Sequence, residues 1–241
     1  PKLLVKCEGY IDLHGERFHC WKKKGHGIVG MRTALKQSCD VYFYEVARRL
    51  GIDRLSATAE KFGLGKKILT NYTEEKAGVV PNTKWKIKEL GKNWYLGETL
   101  HSGIGQGYFL TTPLQLCLMT AQIANGGFKI YPKILIEEND KIGNLQKFLN
   151  HKNSTPGNVM SSSDKIYNFN LEPLFRNQEN INLIKDAMFA ATNEPGGTSY
   201  GSRHNKKKFV FAGKTGSSQI KRFTEAQREA EVKQENITYL E

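Results

Sequence analysis

The stretch from Lys207 to Gln219 reads KKFVFAGKTGSSQ. Its centre, Phe209, Val210, Phe211 and Ala212, concentrates aromatic and β-branched side chains, which predicts a buried or half-buried strand. Gly213 and Gly216 bracket Lys214, and glycine in a strand marks close approach by a ligand or another backbone. A strand end offering Lys214, Thr215, Ser217 and open N–H groups suits a carboxylate and a developing oxyanion. Alone, so short a tripeptide reads as an ordinary core strand followed by a turn. The rest of the chain decides its meaning.

With 241 residues the chain has room for one large domain or two small ones. Hydrophobic residues make up 39% and charged residues 25%, proportions that favour a folded globular chain over a disordered one. The net charge of +12 would suit an anionic partner. No helix-turn-helix signature, RNP aromatic pair or paired CxxC finger accompanies it, so nucleic acid is set aside as a partner and the charge is read as a solvated basic face. No apolar run approaches the ~18–20 residues of a membrane span, and no signal peptide is visible. The chain starts at Pro1, which leads us to expect a beginning inside a longer protein, with any anchor upstream.

Residues 1–27 read as irregular and polar, and carry Cys7, His14, His19, Cys20 and His26. With Cys39, the set Cys7, Cys20 and His26 can form a tetrahedral zinc site, with gaps of 12, 5 and 12 residues between successive ligands. A Cys7–Cys20 disulfide and separate free thiols are the alternatives. Cys117, in LQLCLMTAQIA, reads as an inert buried thiol. From Gly30 to Leu50 apolar residues recur at helical steps, interrupted at Ser38-Cys39-Asp40, which predicts two helices meeting at a turn with Ser38 as a cap. Asp53 is then expected to cap a third helix, ended by Gly63 and Gly65.

Residues 66–107 read as loop-rich, ending in the glycine-dense run 103–107, which lacks the Lys-Ser/Thr of a phosphate loop. Thr112-Pro113 predicts the start of an apolar helix through Ala124. Phe128 to Ile136 reads as a short strand, 138–176 as a variable surface excursion, and Glu179 to Thr192 as an amphipathic helix. Thr224 to about Lys233 reads as an exposed charged helix or tail.

Ser38-x-Asp40, Gly103-Ile104-Gly105-Gln106-Gly107, Gly196-Gly197-Thr198 and Lys214-Thr215-Gly216 follow one another in that order. In this the chain resembles the penicillin-binding transpeptidases, whose known signature is an SxxK serine, an S-D-N-type element and K-T-G. The likeness extends over WKKKGHG at 21–27, SCDVYFYEVARRLGIDRL at 38–55, KFGLG at 61–65, GIGQGY at 103–108, TTPLQL at 111–116 and AGKTGSSQ at 212–219. WKKKGHG, GIDRL and Asp40 point to the elongation-specific class B branch over the division-specific one.

The resemblance implies an α+β fold, serine transpeptidase/β-lactamase-like and mostly helical here, with an all-helical lobe and part of an antiparallel sheet. Residues 1–241 would then be a partial transpeptidase domain; separately, Cys7, Cys20 and His26 make 1–29 a candidate zinc-stabilised segment. The resemblance also implies cross-linking of peptidoglycan peptide stems through a serine acyl-enzyme, with no catalytic cofactor. Its implied partners are stem peptides on lipid-linked precursor strands, β-lactam antibiotics, and a shape-determining glycosyltransferase with scaffold proteins. The implied location is the periplasmic face of the bacterial inner membrane. Ser38, Asp40 and Lys214 are the implied catalytic residues, and Thr215, Gly216 and Ser217 would bind substrate.

The chain also departs from the pattern. No SxxK precedes Ser38, and the literal strings Ser162-Ser163-Asp164-Lys165 and Ser218-Gln219-Ile220-Lys221 fall after it and read as chance. We therefore expect an internal piece of a transpeptidase domain, inactive alone. A division-specific relative, a β-lactamase relative and a non-catalytic zinc-stabilised binding module are the alternatives. Alternation at Ser38-Cys39-Asp40 is expected to send the Cys39 side chain toward residues 1–27, behind the cleft.

Overall fold

Leu13 and Glu16 face each other across the two-residue turn His14-Gly15, whose φ values of 49° and 85° are both left-handed. Such a turn matches the twist of a β-hairpin. In a computed structural model of the chain, which describes residues 3–69, 72–132, 172–177 and 179–217, it joins β2 (Tyr10–Leu13) to β3 (Glu16–His19). In sequence this hairpin lies between β1 (Leu4–Cys7) and β4 (Gly27–Gly30), which pair antiparallel with Val5 opposite Val29. The expectation of irregular structure over the first 27 residues is therefore corrected. Each strand has four residues and several outward side chains, so neither a long apolar run nor clean alternation announces it.

β4 leads directly into α1 (Met31–Lys36), followed by α2 (Asp40–Leu50) and α3 (Ile52–Lys61). The two helices meeting at a turn are as expected, but Ser38 is not a cap. Cys39 occupies that position and Ser38 sits inside the turn at φ 54°. Nor does Asp53 cap α3. Gly51, at φ 76°, both ends α2 and starts α3, which leaves Asp53 in the first helical turn. Its carboxylate instead accepts the Thr83 N–H at 3.0 Å and the Thr83 hydroxyl at 2.9 Å.

The loop-rich reading of 66–107 is corrected too, because α4 (Thr83–Leu90) and α5 (Leu96–Gly103) lie within it. Their signals are caps more than apolar periodicity. The Asn82 side-chain oxygen accepts the Trp85 N–H at 2.8 Å, and Gly91 ends α4 at φ 62°. Glu98 accepts the Tyr95 N–H at 2.8 Å and pairs with the buried Lys86 at 2.6 Å, tying α5 to α4. A Cβ on Gly103 would lie 2.5 Å from the Ala47 Cβ, so α5 meets α2 at near-backbone contact.

α6 (Pro113–Ala124) starts as predicted, with Thr112 and Gln115 capping each other at 3.2 Å and 3.0 Å. It buries Gln115, Leu118 and Gln122 and turns Cys117 outward, so the buried-thiol reading of Cys117 is corrected. Residues on one helical face recur three and four apart, and Cys117 lies outside that set. α7 (Glu179–Asn193) matches its prediction to within one residue.

The expected strand at 209–212 is not formed among the described residues. Lys207–Phe209 is a 3-10 turn and the backbone beyond it runs without a ladder partner. Phe209, Val210 and Phe211 are about half exposed, not buried. The segment is held along α7, where Gly213 N donates to the Met188 carbonyl at 3.3 Å and Asn193 Nδ2 to the Phe211 carbonyl at 2.8 Å. A strand is defined by its neighbours, and apolar composition alone cannot supply them. Phe128 makes one bridge to Pro173. Residues 133–136 of the predicted strand, most of the 138–176 excursion, both late SxxK strings and the 224–233 helix lie outside the described residues.

The buried core gathers where the two small sheets meet α1, α2 and α5, around Cys7, Cys20, Val29, Ala34, Cys39 and Leu100. The result is a mostly helical α+β arrangement with its buried core behind the Ser38 turn, at Cys39.

Candidate functional site

Three short-range facts build the turn that carries Ser38. Gln37 ends α1, Cys39 N donates to the Ala34 carbonyl at 2.8 Å, and α2 begins at Asp40. Between them Ser38 is forced to positive φ, an uncommon state for a non-glycine residue that costs about 1–2 kcal/mol. Trp21 braces it from the side. Its indole Nε1 donates to the Ser38 carbonyl at 2.8 Å and to that of Gln37 at 3.1 Å, while its backbone N–H donates to Asp40 Oδ2 at 2.8 Å.

The turn faces the 214 segment directly. Lys214 Nζ donates to Ser38 Oγ at 2.8 Å, across 176 residues of sequence, and to the Thr215 carbonyl at 2.8 Å. Although Lys214 is exposed as a whole, its ammonium is turned in against these oxygens. Desolvation there lowers its pKa from the ordinary lysine value, against the attraction of Asp40. Burial likewise pushes the Asp40 carboxyl up to about 6, opposed by the Trp21 N–H. Thr215 Oγ1 extends the chain of contacts by donating to Thr198 Oγ1 at 2.9 Å. Ser38, Lys214 and Thr215 are thus in one hydrogen-bonded group, with Asp40 bound to Trp21 on its flank. Gly216 and Ser217 lie at the exposed end of the segment, and a Cβ on Gly216 would meet open space. Thr198 and Trp21 were not singled out as site residues. The available signals were the two glycines before Thr198 and the WKKKGHG motif around Trp21.

Ion pairs tie α1, which leads into the Ser38 turn, to α7, which carries the 214 segment alongside it. Arg32 on α1 donates to Asp186 at 2.6 Å and to Glu194 at 2.6 Å, and Lys36 pairs with Glu194 at 3.0 Å. Hydrogen bonds from Arg32, then from Lys36, pull Glu194 down to about 2. Because this folded-state pKa is depressed, the stabilisation is present above the ordinary carboxylate range and is lost as pH falls from about 4.5 toward 2. Between those pH values Glu194→Gln is therefore expected to unfold with a weaker acid dependence than the unsubstituted protein. Thermal unfolding measured against pH checks this, and identical profiles would discount these ion pairs.

Behind the turn, Cys39 points away from Lys214 into a group with Cys7, Cys20 and His26, whose potential ligand atoms all lie within 4.8 Å of one another. His26 Nδ1 is 3.5 Å from both Cys7 Sγ and Cys20 Sγ. A tetrahedral zinc with S and N ligands at about 2.3 and 2.0–2.1 Å places sulfur and nitrogen about 3.5 Å apart, so the donor set fits that ion. The three cysteines are buried free thiols. A hydrogen bond from Cys39 pulls the Cys20 thiol down, and donating that proton, together with burial, pushes Cys39 up. His26 Nε2 is buried without a partner among the described residues.

The family model of the penicillin-binding protein transpeptidase domain matches residues 1–238. The chain belongs to that family. It is 35% identical to the peptidoglycan D,D-transpeptidase MrdA of Acinetobacter baumannii over 222 residues, which is 91% of this chain and 30% of that protein. Its fold is similar to penicillin-binding protein 2 of Pseudomonas aeruginosa, with a TM-score of 0.72 and 31% identity, covering 91% of this chain and 46% of that one. It is equally similar to penicillin-binding protein 2 of Helicobacter pylori in its complex with MreC, with a TM-score of 0.72 and 29% identity over 91% of this chain and 36% of that one. The chain thus spans about three-tenths of the length of several curated relatives named MrdA. The helices and hairpins described above are those of a penicillin-binding transpeptidase fold. Among the described residues, no helix is long and apolar enough to cross a membrane.

Proposed function

We propose that this chain supplies two walls of the catalytic cleft of a peptidoglycan D,D-transpeptidase, and that the attacking serine comes from sequence outside these 241 residues. The observation that carries the reading is the 2.8 Å contact between Lys214 Nζ and Ser38 Oγ. In the reaction the serine Oγ bonds to the carbonyl carbon of a donor stem, the peptide C–N bond breaks, and D-alanine leaves with a proton. An amine from a neighbouring stem then attacks the ester, the C–O bond breaks, and the serine regains its proton.

In this reading Ser38 passes a proton to the leaving nitrogen, and Lys214 lowers the cost of the negative charge that gathers beside it. Asp40, held by the Trp21 N–H, orients this group. Thr215 and Ser217 hold the terminal carboxylate of the donor, with Gly216 leaving room for it. The Ser217 N–H is one oxyanion donor, a contact whose loss typically costs about 2.7–4 kcal/mol. Cys7, Cys20, His26 and Cys39 hold a structural zinc, which needs no open position and supplies rigidity to the Ser38 turn from behind. Similarity to proteins named MrdA and to one bound to MreC supports an elongation role, with a shape-determining scaffold and a glycosyltransferase as partners. Peptide stems as substrate place the site on the periplasmic face of the inner membrane, and β-lactams are its inhibitors.

Incubated with a fluorescent penicillin, the full-length polypeptide is expected to take up a covalent label that survives denaturing electrophoresis. The 241-residue chain alone is expected to take up none, since no SxxK precedes Ser38. An unlabelled full-length form would overturn the reading.

A further inference from the structure

We propose that Thr198 is a positioning residue for carboxylate recognition, acting through Thr215. The inference rests on the transpeptidase reading above and extends it to a residue outside the motif set.

The argument begins with how many protons the Thr215 hydroxyl has. It has one, and Thr198 Oγ1 lies 2.9 Å away. Because the Lys36 carbonyl beside Thr198 can only accept, the Thr198 proton points there and the Thr215 proton points at Thr198. A carboxylate only accepts hydrogen bonds, so Thr215 can bind one only by turning its proton away from Thr198. Left without compensation, the bond to the ligand would be gained only by giving up the Thr215–Thr198 bond. Thr198 removes that loss because its own hydroxyl can reverse roles. In the empty cleft Thr198 accepts from Thr215 and directs its own proton at the Lys36 carbonyl, a long contact of 3.5 Å. With a carboxylate present, Thr198 donates to Thr215 and Thr215 donates to the ligand. No heavy atom has to move, and the bond given up is the weakest in the chain. Thr215 Oγ1 then receives protons from Thr198 and from Lys214, 3.3 Å away, which polarises its O–H toward the anion.

The backbone holds Thr198 where this requires. Its N–H donates to the Lys36 carbonyl at 3.1 Å, so it is tied to the end of α1, two residues before Ser38. Gly197 N donates to the Glu194 carbonyl at 3.0 Å and Ser199 N to the Ala191 carbonyl at 3.1 Å, which fold the segment onto the end of α7. A Cβ on Gly197 would lie 2.2 Å from the Ala191 carbonyl oxygen, and Gly196 sits at φ 79°. Two successive glycine-dependent positions therefore deliver one hydroxyl to Thr215. Valine at 198 keeps the shape of threonine but can neither accept nor donate, whereas serine keeps the hydroxyl.

The test compares acylation of the full-length protein by a penicillin with a free carboxylate and by its methyl ester. The unsubstituted protein is expected to react faster with the free acid. Thr198→Val is expected to lose roughly tenfold in acylation efficiency toward the free acid, the size of one hydrogen bond to a charged group. It should change less than twofold toward the ester, and Thr198→Ser should restore the preference. The acid-to-ester ratio is measured within one preparation, so it does not depend on the folded fraction. An equal loss toward both ligands, or an undiminished preference in Thr198→Val, would overturn the role of Thr198 alone. A full-length protein that neither ligand acylates would overturn the transpeptidase reading along with it.

Discussion

Replacing Cys39 with serine in the full-length protein is expected to abolish zinc binding and to lower the thermal midpoint on the order of 6–12 °C. The estimate starts from the fit of the donor set. Three thiols and one imidazole nitrogen already lie within 4.8 Å of one another, with both measured sulfur–nitrogen separations at the edge length of a zinc tetrahedron. Structural zinc in small peptides carries ~10–16 kcal/mol of apparent binding free energy, and a domain with its own core needs only part of that. A loss of ~3 kcal/mol corresponds to the stated midpoint shift at ~2–4 °C per kcal/mol for a domain of this size. Serine is a poor replacement on two counts. Its hydroxyl is not a zinc ligand of thiolate strength, and at the fully buried position of Cys39 it adds a polar group with the ion gone. The consequence reaches the cleft because Cys39 lies between Ser38 and Asp40 in the turn. Elemental analysis should find one zinc per chain in the unsubstituted protein and well under one in Cys39→Ser. Purified unsubstituted protein with negligible zinc, and an unchanged midpoint in the variant, would count against the site.

The second large effect concerns Lys214. Lys214→Ala in the full-length protein should lower the rate of penicillin acylation by about 10²–10⁴-fold, the usual range for a group that serves proton transfer in the transition state. The substitution removes the donor to Ser38 Oγ and a positive charge that interacts with Asp40. The cost to the fold should be small, because the residue is exposed as a whole and its bonds are confined to the cleft surface. Arginine should not rescue, since a planar guanidinium cannot place a compact donor 2.8 Å from both Ser38 Oγ and the Thr215 carbonyl. Stopped-flow acylation with thermal unfolding beside it checks the claim. Acylation within threefold of the unsubstituted rate would remove Lys214 from the machinery.

How much of this could be read from the letters differs by element. α6 and α7 were legible because their signals are local: Thr112-Pro113 at one start, a buried face at three- and four-residue steps, glycines after the end. The Ser38 turn was legible because two helical patterns break at three consecutive residues. Its internal arrangement was not. Whether Ser38 or Cys39 caps α2 depends on which residue takes the positive φ, and Ser38, which takes it, is braced by Trp21, two elements earlier in sequence. The same holds for Cys117, whose apolar neighbours suggested burial but whose face of α6 is turned outward.

By itself the sequence determined the helical periodicities, the glycine breaks and the order of the Ser38, Gly103 and Lys214 motifs, because each depends on forces acting over a few residues. The tertiary structure decided which strands pair in the first thirty residues, and left the 209–212 segment without a described partner. It also decided that Lys214 reaches Ser38 and that four distant ligands converge behind Cys39. Those outcomes depend on closing loops of tens to more than a hundred residues, where the packing of whole elements, and not local preference, selects one arrangement from many.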